Sequence, residues 1–354
     1  MPLTKRAPAP PQPGPGALVR VGRAVLWTVL LVLLVPALLL TWLRLSDAEG
    51  DLAVRAVAFT PFAFVAYLFV LVLAAGAWWA RRRAVYRLLV ALVAAVGVLV
   101  HGSWLLPLVV GPPERAADAE RHLVVLSANA LMGQADPDAL MSVADEEAAD
   151  LVVLPEATVG LMAGLDAAGA AGEYPYRVGT AAEEGSTAGT VVLSRFPLGE
   201  PTRVGTIMES WAVDVDVPDE PGGAGGDAGD SVRLLAVHPA APADPHSFRA
   251  DAAVLRAAVR EEAPDLVVGD FNATLDHVQL RRLLSAGLRD AAEEAGSGWQ
   301  PTWPANGLFA GLPFPLVSID HVLVGPGLTA SSTRTHLLAG TDHLALVADL
   351  GLAG

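Results

Sequence analysis

The sequence predicts three N-terminal transmembrane helices followed by an α/β four-layer sandwich, in which two β-sheets pack face to face with helices outside. Three observations predict this. Uncharged runs long enough to cross a bilayer fill the first third of the chain, the charge balance reverses near Pro113, and short β-rich runs alternate with helical stretches beyond it. The predicted domains are a tail (1–20), a membrane segment (21–113) and a folded domain (115–354).

The N-terminal third divides into a tail and three apolar runs. Residues 1–20 are rich in proline and offer little that could pack, which is typical of a disordered tail. The runs Ala24–Leu43, Ala56–Ala80 and Leu88–Pro113 are each close to the roughly 20 residues that a spanning helix needs. Within the third run His101 lies near its outer end, where a neutral, solvated imidazole is the simplest interpretation.

The placement of lysine and arginine predicts the orientation of the spans. Four basic residues precede the first span, and Arg81–Arg83 with Arg87 separate the second from the third. The intervening loop is acidic in its middle and carries Arg44 and Arg55 only at its edges. The tail is therefore predicted to be cytoplasmic and the domain after the third span extracellular, in a multi-pass cell-membrane protein whose first partner is the lipid bilayer.

Charge and cysteine content exclude several kinds of site. The chain has 23 basic and 38 acidic residues, of which ten basic and three acidic ones precede residue 114. The remaining 13 basic residues are all arginine, and the same part of the chain contains 35 acidic residues. This negative net charge argues against a nucleic-acid partner. An acidic domain can still bind phosphate through a metal ion. The absence of cysteine excludes disulfides, thiolate metal sites and cysteine nucleophiles.

The residue pattern beyond residue 115 predicts alternating strands and helices. Asp136 precedes a proline that suits the first position of a helix, so a helix is expected from Pro137, and the spacing of Phe248, Ala252, Leu255 and Val259 predicts a helix over Asp244–Glu262. A further helix is expected over Thr274–Leu284, and the glycine-rich stretch Asp219–Asp230 is expected to be a flexible hairpin loop. The predicted strands lie in 122–133, 150–158, 189–198, 211–217, 232–239, 264–274, 317–327 and 343–351.

Polar residues follow or precede these apolar runs at the points where strand ends meet loops. They supply four carboxylates, two imidazoles and two amides: Asn129, Glu156, His238, Asp270, Asn272, Asp320, Asp342 and His343. Carboxylates hold Mg²⁺ or Mn²⁺, and polar donors stabilise charge on phosphoryl oxygens. Each residue alone has a structural alternative as a turn residue, a helix cap or an ion-pair partner.

Taken together, the blocks around these residues resemble the endonuclease/exonuclease/phosphatase superfamily, with its DNase-I-like fold. This superfamily includes pancreatic-type deoxyribonucleases, apurinic endonucleases, inositol-polyphosphate phosphatases and bacterial sphingomyelinases. The resemblance spans about Arg121 to Leu350 and is carried, in order, by SANALMG, VVLPEAT, TVVLSRFPL, LLAVHPAAP, VVGDFNAT, SIDHVLV and GTDHLAL. The anchored architecture is similar to that of actinobacterial VanJ-type proteins linked to glycopeptide-antibiotic resistance.

The resemblance implies a divalent metal, Mg²⁺ or Mn²⁺, and a role for each residue. Glu156 would be the principal metal ligand, with Asn129 and Asp342 completing the metal surroundings. Asp270 would orient or deprotonate the attacking water. Asn272 would hold a phosphoryl oxygen, and His238 would contact the phosphate or protonate the leaving oxygen. Asp320 would fix the tautomer of His343, which would stabilise developing negative charge.

Other residues near these blocks receive weaker expectations. Arg195, Thr302 and Trp303 also match family blocks and are expected either to support the site or to be structural. Strand alternation points His321 to the face opposite Asp320. Tyr174 and Tyr176 match no block, so the sequence assigns neither of them to the phosphate.

These expectations lead to a metal-dependent phosphoesterase, a phosphatase or phosphodiesterase, acting outside the cytoplasmic membrane. Its predicted substrate is a lipid-linked or cell-envelope phosphate, because three spans would hold the site near membrane substrates. No obligate protein partner is indicated. The alternatives are an extracellular metal-dependent endonuclease and a non-catalytic metal-binding envelope receptor or scaffold.

Overall fold

A computed structural model of the chain describes residues 15–80, 85–111, 121–218, 230–305, 311 and 314–352. They fall into two compact units: the first combines the chain up to Thr41 with Phe62–His101, and the second combines Trp42–Pro61 with the chain from Gly102 onward. Most of the predicted hairpin loop Asp219–Asp230 and residues 1–14 of the predicted tail lie outside the described residues.

Three helices in the described chain are long and apolar enough to cross a membrane. They are α1 (Pro15–Leu45), α3 (Thr60–Ala80) and α4 (Val85–Leu105), and α1 begins inside the stretch predicted to be a disordered tail. Large apolar side chains such as Val32, Val72 and Leu99 are more than half exposed. Such exposure is costly in water and favourable in lipid, which supports a membrane anchor.

His101 is buried in the first unit, so the expectation of a solvated imidazole is wrong. Its Nε2 atom lies 2.9 Å from the Thr41 hydroxyl, which is also 2.8 Å from the Tyr67 hydroxyl. The three side chains form one hydrogen-bonded cluster among the helices. Polar groups in an apolar environment must satisfy one another, and sequence position alone did not reveal these partners.

The second unit starts with a short helix, α2 (Asp51–Ala56), and a 3₁₀ turn, Val57–Phe59. The helices that follow in the described chain are α5 (Pro137–Glu146), α6 (Val159–Ala167), α7 (Ala170–Glu173), α8 (Pro245–Glu262), α9 (Val278–Leu284) and α10 (Ala291–Ala295). The strands are β1 (His122–Ser127), β2 (Leu151–Pro155), β3 (Tyr176–Thr180), β4 (Thr190–Ser194), β5 (Thr202–Val204), β6 (Ser210–Val217), β7 (Asp230–Val237), β8 (Leu266–Asp270), β9 (Arg289–Asp290), β10 (Asp320–Val324), β11 (Leu328–Leu337) and β12 (Leu344–Leu352).

Two six-stranded sheets confirm the predicted sandwich. Their strand orders are β11-β12-β1-β2-β4-β3 and β5-β6-β7-β8-β10-β9. Inward-facing residues of both sheets, including Leu123, Val153, Leu234 and Val322, form a single buried core. Because side chains alternate between the faces of a strand, the outer faces are left for helices.

Helices cover the outer face of each sheet and complete four layers. Leu140 and Leu161, from α5 and α6, pack against the first sheet. Phe248 and Leu283, from α8 and α9, pack against the second sheet together with Val54 from α2. The predicted cap at Asp136 is present and accepts a hydrogen bond from Ala139 N–H, and Asp244 caps α8 by accepting bonds from His246 and Ser247 N–H.

The second and third spans were predicted over Ala56–Ala80 and Leu88–Pro113, whereas α3 begins at Thr60 and α4 ends at Leu105. In the folded domain the sequence predicted one helix start wrongly and gave no prediction for several short elements. The helix expected from Thr274 begins at Val278, because the preceding residues form a turn in which Thr274 N–H donates to His277 Nδ1. The elements that the sequence did not predict are α2, α6, α7, α10, β3, β5, β9 and β11. Most are too short or too irregular to give a periodic pattern.

Glu293 on α10 predicts a pH dependence of stability. Burial, followed by the nearby charge of Asp290, raises its pKa to about 7, against the opposing effect of Arg44. A raised carboxyl pKa favours the neutral form, so the contribution of Glu293 to stability falls as pH rises from its ordinary pKa toward 7. Glu293→Gln should therefore raise the melting temperature of the detergent-solubilised chain at pH 8 and leave it unchanged at pH 4.5.

The matched control for this prediction is Glu146→Gln, which removes one charge from an exposed position. Its melting temperature should follow the wild type at both pH values. An unchanged or lower melting temperature for Glu293→Gln at pH 8 would contradict the prediction.

Candidate active site

All eight predicted site residues gather at one end of the sandwich. Strands β1 and β2 are parallel, as are β7 and β8, so residues following each pair meet at one edge. Strands β10 and β12 run antiparallel to β8 and β1, so residues at their starts arrive at the same edge. This arrangement brings together Asn129, Glu156, His238, Asp270, Asn272, Asp320, Asp342 and His343.

Asn129 and Glu156 form one side of the site. The Asn129 amide nitrogen lies 3.2 Å from Glu156 Oε1 and 3.0 Å from Asp270 Oδ2, and its oxygen accepts a hydrogen bond from Leu131 N–H. Met132 N–H donates to Glu156 Oε2. In this arrangement Asn129 orients two carboxylates, and its assignment as a metal ligand stays a prediction.

Glu156 adopts a backbone conformation that non-glycine residues seldom use. Its φ is 59°, in the left-handed region. Such a conformation costs about 1–3 kcal/mol and persists where its surroundings enforce it. Strain of this kind clusters at functional sites, and here it aims a carboxylate into the site directly after β2.

Asp270 ends β8 opposite Asp320, the first residue of β10. The preceding Gly269 has a φ of 145°, and a Cβ at that position would lie 2.0 Å from Val237 O, so no other residue fits without a shift of the backbone. Burial and then the charge of Asp320 raise the pKa of Asp270 to about 7. A carboxyl with this pKa can take up a proton near neutral pH.

His343 and Asp320 form a buried pair, as the resemblance implied. The distance from His343 Nδ1 to Asp320 Oδ2 is 2.8 Å, and His343 Nε2 faces Asp270 Oδ2 at 3.8 Å. Burial alone would lower the pKa of His343, but the charges of Asp320, Asp270 and Asp342 raise it to about 10. His343 is therefore a cation at neutral pH, oriented by Asp320.

His238 differs from His343 in charge. Its Nε2 atom lies 3.8 Å from both Glu156 Oε1 and Asp270 Oδ2. Burial, followed by the charge of His343, lowers the pKa of His238 to about 3. A neutral imidazole can donate a hydrogen bond to a phosphate, whereas protonation of a leaving oxygen would require a change in its surroundings when substrate binds.

Asn272 lies beside His238 and already has one hydrogen-bond partner. Its φ is 51°, a left-handed conformation that asparagine tolerates, and its Nδ2 atom donates to Pro239 O at 3.0 Å. An amide nitrogen has two N–H donors, so one remains for a phosphoryl oxygen. The predicted role of Asn272 is compatible with this geometry.

Trp303 and Thr302 hold the remaining acids in place. Trp303 Nε1 donates to Asp342 Oδ2 at 2.9 Å. The Thr302 hydroxyl oxygen lies 3.3 Å from the Asp320 and Ile319 amide nitrogens. Of the two expectations for these residues, the structure favours support of the site. Arg195 instead contacts Asp150, Glu173 and Ala148 O, which is a structural role.

Sequence reasoning missed two buried residues that support the site. The Asp251 carboxylate accepts hydrogen bonds from the Ile207 and Ala240 amides, which fixes the loop after His238. His321 lies on the face opposite Asp320, as predicted. Its ring nitrogens contact Asp290 and Ala273 O, so it supports the loop after Asp270. Asp251 was detectable, because an acid three residues after Phe248 lies on the apolar stripe of α8.

The site has the donors that a hard divalent cation needs. One ligand atom each from Asp270, Asp320 and His343 lie within 4.8 Å of one another. Burial raises the pKa of Glu156 as well, and Asp342 adds to that effect. Asp320 Oδ1 is buried without a hydrogen-bond partner among the described residues. Burying several ionised carboxylates close together without a counter-charge destabilises the fold, and a bound cation would offset that cost.

Comparisons with known proteins agree with this geometry. The sequence profile of the endonuclease/exonuclease/phosphatase family matches residues 126–343. Among curated protein sequences, none matches the chain.

Several solved structures share the fold. An endonuclease/exonuclease/phosphatase from Beutenbergia cavernae is 23% identical, with a TM-score of 0.52 over 66% of this chain and 72% of that one. A mannosyl-6-phosphatase from Bacteroides thetaiotaomicron is 15% identical, with a TM-score of 0.50 over 64% and 99%. D. rerio TDP2 complexed with a single-strand DNA product is 17% identical, with a TM-score of 0.50 over 65% and 99%.

Proposed function

The chain belongs to the endonuclease/exonuclease/phosphatase family, and from this premise we propose that it is a Mg²⁺- or Mn²⁺-dependent phosphatase or phosphodiesterase acting on a lipid-linked or cell-envelope phosphate outside the cytoplasmic membrane. The observation that carries the proposal is the buried group of Asp270, Asp320 and His343 at one end of the sandwich, with the half-buried Glu156 joined to it through Asn129. Members of this family hydrolyse phosphoester bonds, and the group has the residue types that this chemistry needs.

The division of work among the side chains follows from their charges. Glu156 and Asp342 would hold the metal, with Asn129 beside them; when bound, the ion would supply positive charge for the phosphoryl oxygens and for the attacking water. Asp270, with a pKa near 7, would orient the water and accept its proton. Cationic His343 would stabilise the negative charge that develops on the phosphoryl group.

The remaining polar groups would bind and orient the substrate. Neutral His238 and the free N–H of Asn272 would donate hydrogen bonds to phosphoryl oxygens. Asp320 keeps His343 Nδ1 occupied, so that Nε2 faces the substrate. A fixed arrangement of donors lowers the barrier because little reorganisation is needed when charge develops.

The composition and the helices support a membrane-associated phosphate rather than a nucleic acid. Residues beyond 113 carry 35 acids against 13 arginines, which disfavours binding to a polyanion. Three helices long enough to span a membrane would confine the site near lipid substrates. The distribution of lysine and arginine supports an extracellular domain.

The test is hydrolysis by the full-length chain in membranes with Mg²⁺. The panel contains a phosphomonoester, a phosphodiester, a prenyl pyrophosphate, a sphingomyelin-type lipid and plasmid DNA. We expect turnover of a lipid or pyrophosphate substrate that EDTA abolishes and added Mg²⁺ restores. Salt-sensitive cleavage of DNA would replace the proposal with the nuclease, and metal binding without turnover of any substrate would favour the receptor or scaffold.

A further inference from the structure

Residues 42–61, from the last turn of α1 to the first residues of α3, belong to the second unit. We call this stretch the interspan segment. Sequence patterning assigns most of it to the loop between the first two spans and the rest to the ends of those spans, yet its residues contact α8, α9 and the loop that follows β8. The interspan segment lies in the same compact unit as the site residues, so its contacts can influence the position of the active-site loop.

One contact is apolar. Val54, on α2 of the interspan segment, is 1% exposed and belongs to the core cluster that includes Phe271 and Ala273. These two residues flank Asn272 in the loop that carries the site. A side chain from the interspan segment therefore completes the packing beneath the active-site loop.

A second contact runs through His277. Thr274 N–H donates to His277 Nδ1 at 2.9 Å, so Nδ1 carries no proton and Nε2 does. His277 Nε2 lies 2.8 Å from Val54 O and donates to it. One neutral, fully buried imidazole thus joins the backbone of the interspan segment to the backbone two residues beyond Asn272. Its low pKa, about 4 because of burial, is consistent with that protonation state.

A third group of contacts is ionic. Arg44 pairs with Asp276, which is 4% exposed, and its guanidinium stacks on the Trp104 ring at 4.0 Å. Arg281 donates to Asp276 O and also to Asp47. The turn formed by Thr274–His277 is therefore attached to the interspan segment through its last two residues, because Arg44 binds Asp276 and Val54 O accepts from His277, while His277 also binds Thr274 at the start of the turn.

Further contacts extend this attachment along α8 and α9. Arg282 and Gln279 bind Glu49, Arg249 binds Asp51 and the Glu49 carbonyl, and Arg55 donates to the Pro242 and Ala243 carbonyls. Pro242 lies four residues after His238. The interspan segment therefore reaches both the loop after β8 and the loop after β7.

We propose that the interspan segment is a positioning element of the active site, which fixes the loop carrying Asp270 and Asn272 through His277 and Asp276. The proposal rests on the proposed hydrolase function for its kinetic consequence, but the bracing itself is a property of the fold. Removing a contact that orients a catalytic group typically lowers the activity of the enzyme about 10- to 100-fold.

The first variant is His277→Ala in the full-length chain. We expect kcat to fall about 10- to 100-fold, because the variant displaces Asp270, which acts in the chemical step, and KM to rise because it also displaces Asn272, which binds the phosphoryl group. We also expect amide hydrogens of residues 271–276 to exchange faster, while those of β1 and β12 are unchanged. The matched control is His246→Ala at an exposed position near the start of α8, which should match the wild type in both measurements.

The second test exchanges the Arg44–Asp276 pair, and it covers the possibility that His277→Ala fails to fold. Arg44→Asp and Asp276→Arg should each lower kcat and speed exchange at residues 271–276, and the double variant should recover part of both losses. A merely structural role of the pair would change stability without changing kcat in the folded fraction.

The outcomes separate this inference from the proposed function. If the wild type hydrolyses no substrate, the function fails, and exchange at residues 271–276 alone decides the inference. If the wild type is active and the folded variants keep both its kcat and its exchange pattern, the inference is overturned.

Discussion

Asp270→Asn is expected to lower kcat by about 10³-fold or more, because it removes the carboxylate proposed to accept the proton of water. The asparagine is nearly isosteric and can still accept the 2.7 Å hydrogen bond from Asn272 N–H, so the loop should keep its conformation. The measurement is single-turnover hydrolysis of the best substrate of the panel at saturating Mg²⁺. Asp138→Asn, an exposed neutralisation on α5, is the matched control.

The same variant makes an opposite prediction for stability. The pKa of Asp270 is raised to about 7, chiefly by burial, so the contribution of this residue to metal-free stability falls as pH rises from its ordinary pKa to 7. Asparagine does not ionise, so the variant does not lose this contribution to stability as the pH rises. The melting temperature of Asp270→Asn in EDTA should exceed that of the wild type at pH 8 and match it at pH 4. A large loss of stability together with the loss of activity would mean that Asp270 is structural.

Glu156→Gln is expected to raise the Mg²⁺ concentration needed for half-maximal activity by at least about 100-fold. Glutamine keeps the size of the side chain and its oxygen can still accept from Met132 N–H, so the change is mainly one of charge. The direct measurement is stabilisation of the protein by Mg²⁺ in thermal unfolding, which does not depend on substrate. Bound metal stabilises the folded state in proportion to the logarithm of its concentration over Kd.

The matched control for Glu156→Gln is Glu261→Gln, an exposed charge removal on α8. It should keep the wild-type response to Mg²⁺ in both activity and unfolding. If Glu156→Gln also keeps that response, Glu156 is not a metal ligand, and the Asp270 and Asp320 carboxylates become the better candidates to hold the ion.

The architecture and the membership of the site could be predicted from sequence because both depend on local patterns. Uniform apolar runs of the right length predicted three helices, and runs such as Leu266–Gly269 followed by Asp270 predicted buried strands that end in functional groups. The ends of β1, β2, β7 and β8 lie at the edge where β10 and β12 begin because of the strand directions, and the order of the family blocks had indicated that these residues belong to one site. The eight site residues therefore meet as predicted, and the pairing of Asp320 with His343 agrees with the implied role.

The tertiary structure alone decided properties that depend on residues far apart in the chain. His101 looked solvated from its position, but Thr41, 60 residues away, gives it a buried partner. Two histidines of the same site differ in charge because His343 has Asp320 beside it, whereas His238 is desolvated and faces the positive charge of His343. The bracing of Thr274–His277 by Val54 and Arg44 joins segments more than 200 residues apart. Local patterns specify secondary structure and strand ends, whereas burial, charge coupling and hydrogen-bond partners arise only when the folded chain brings distant groups together.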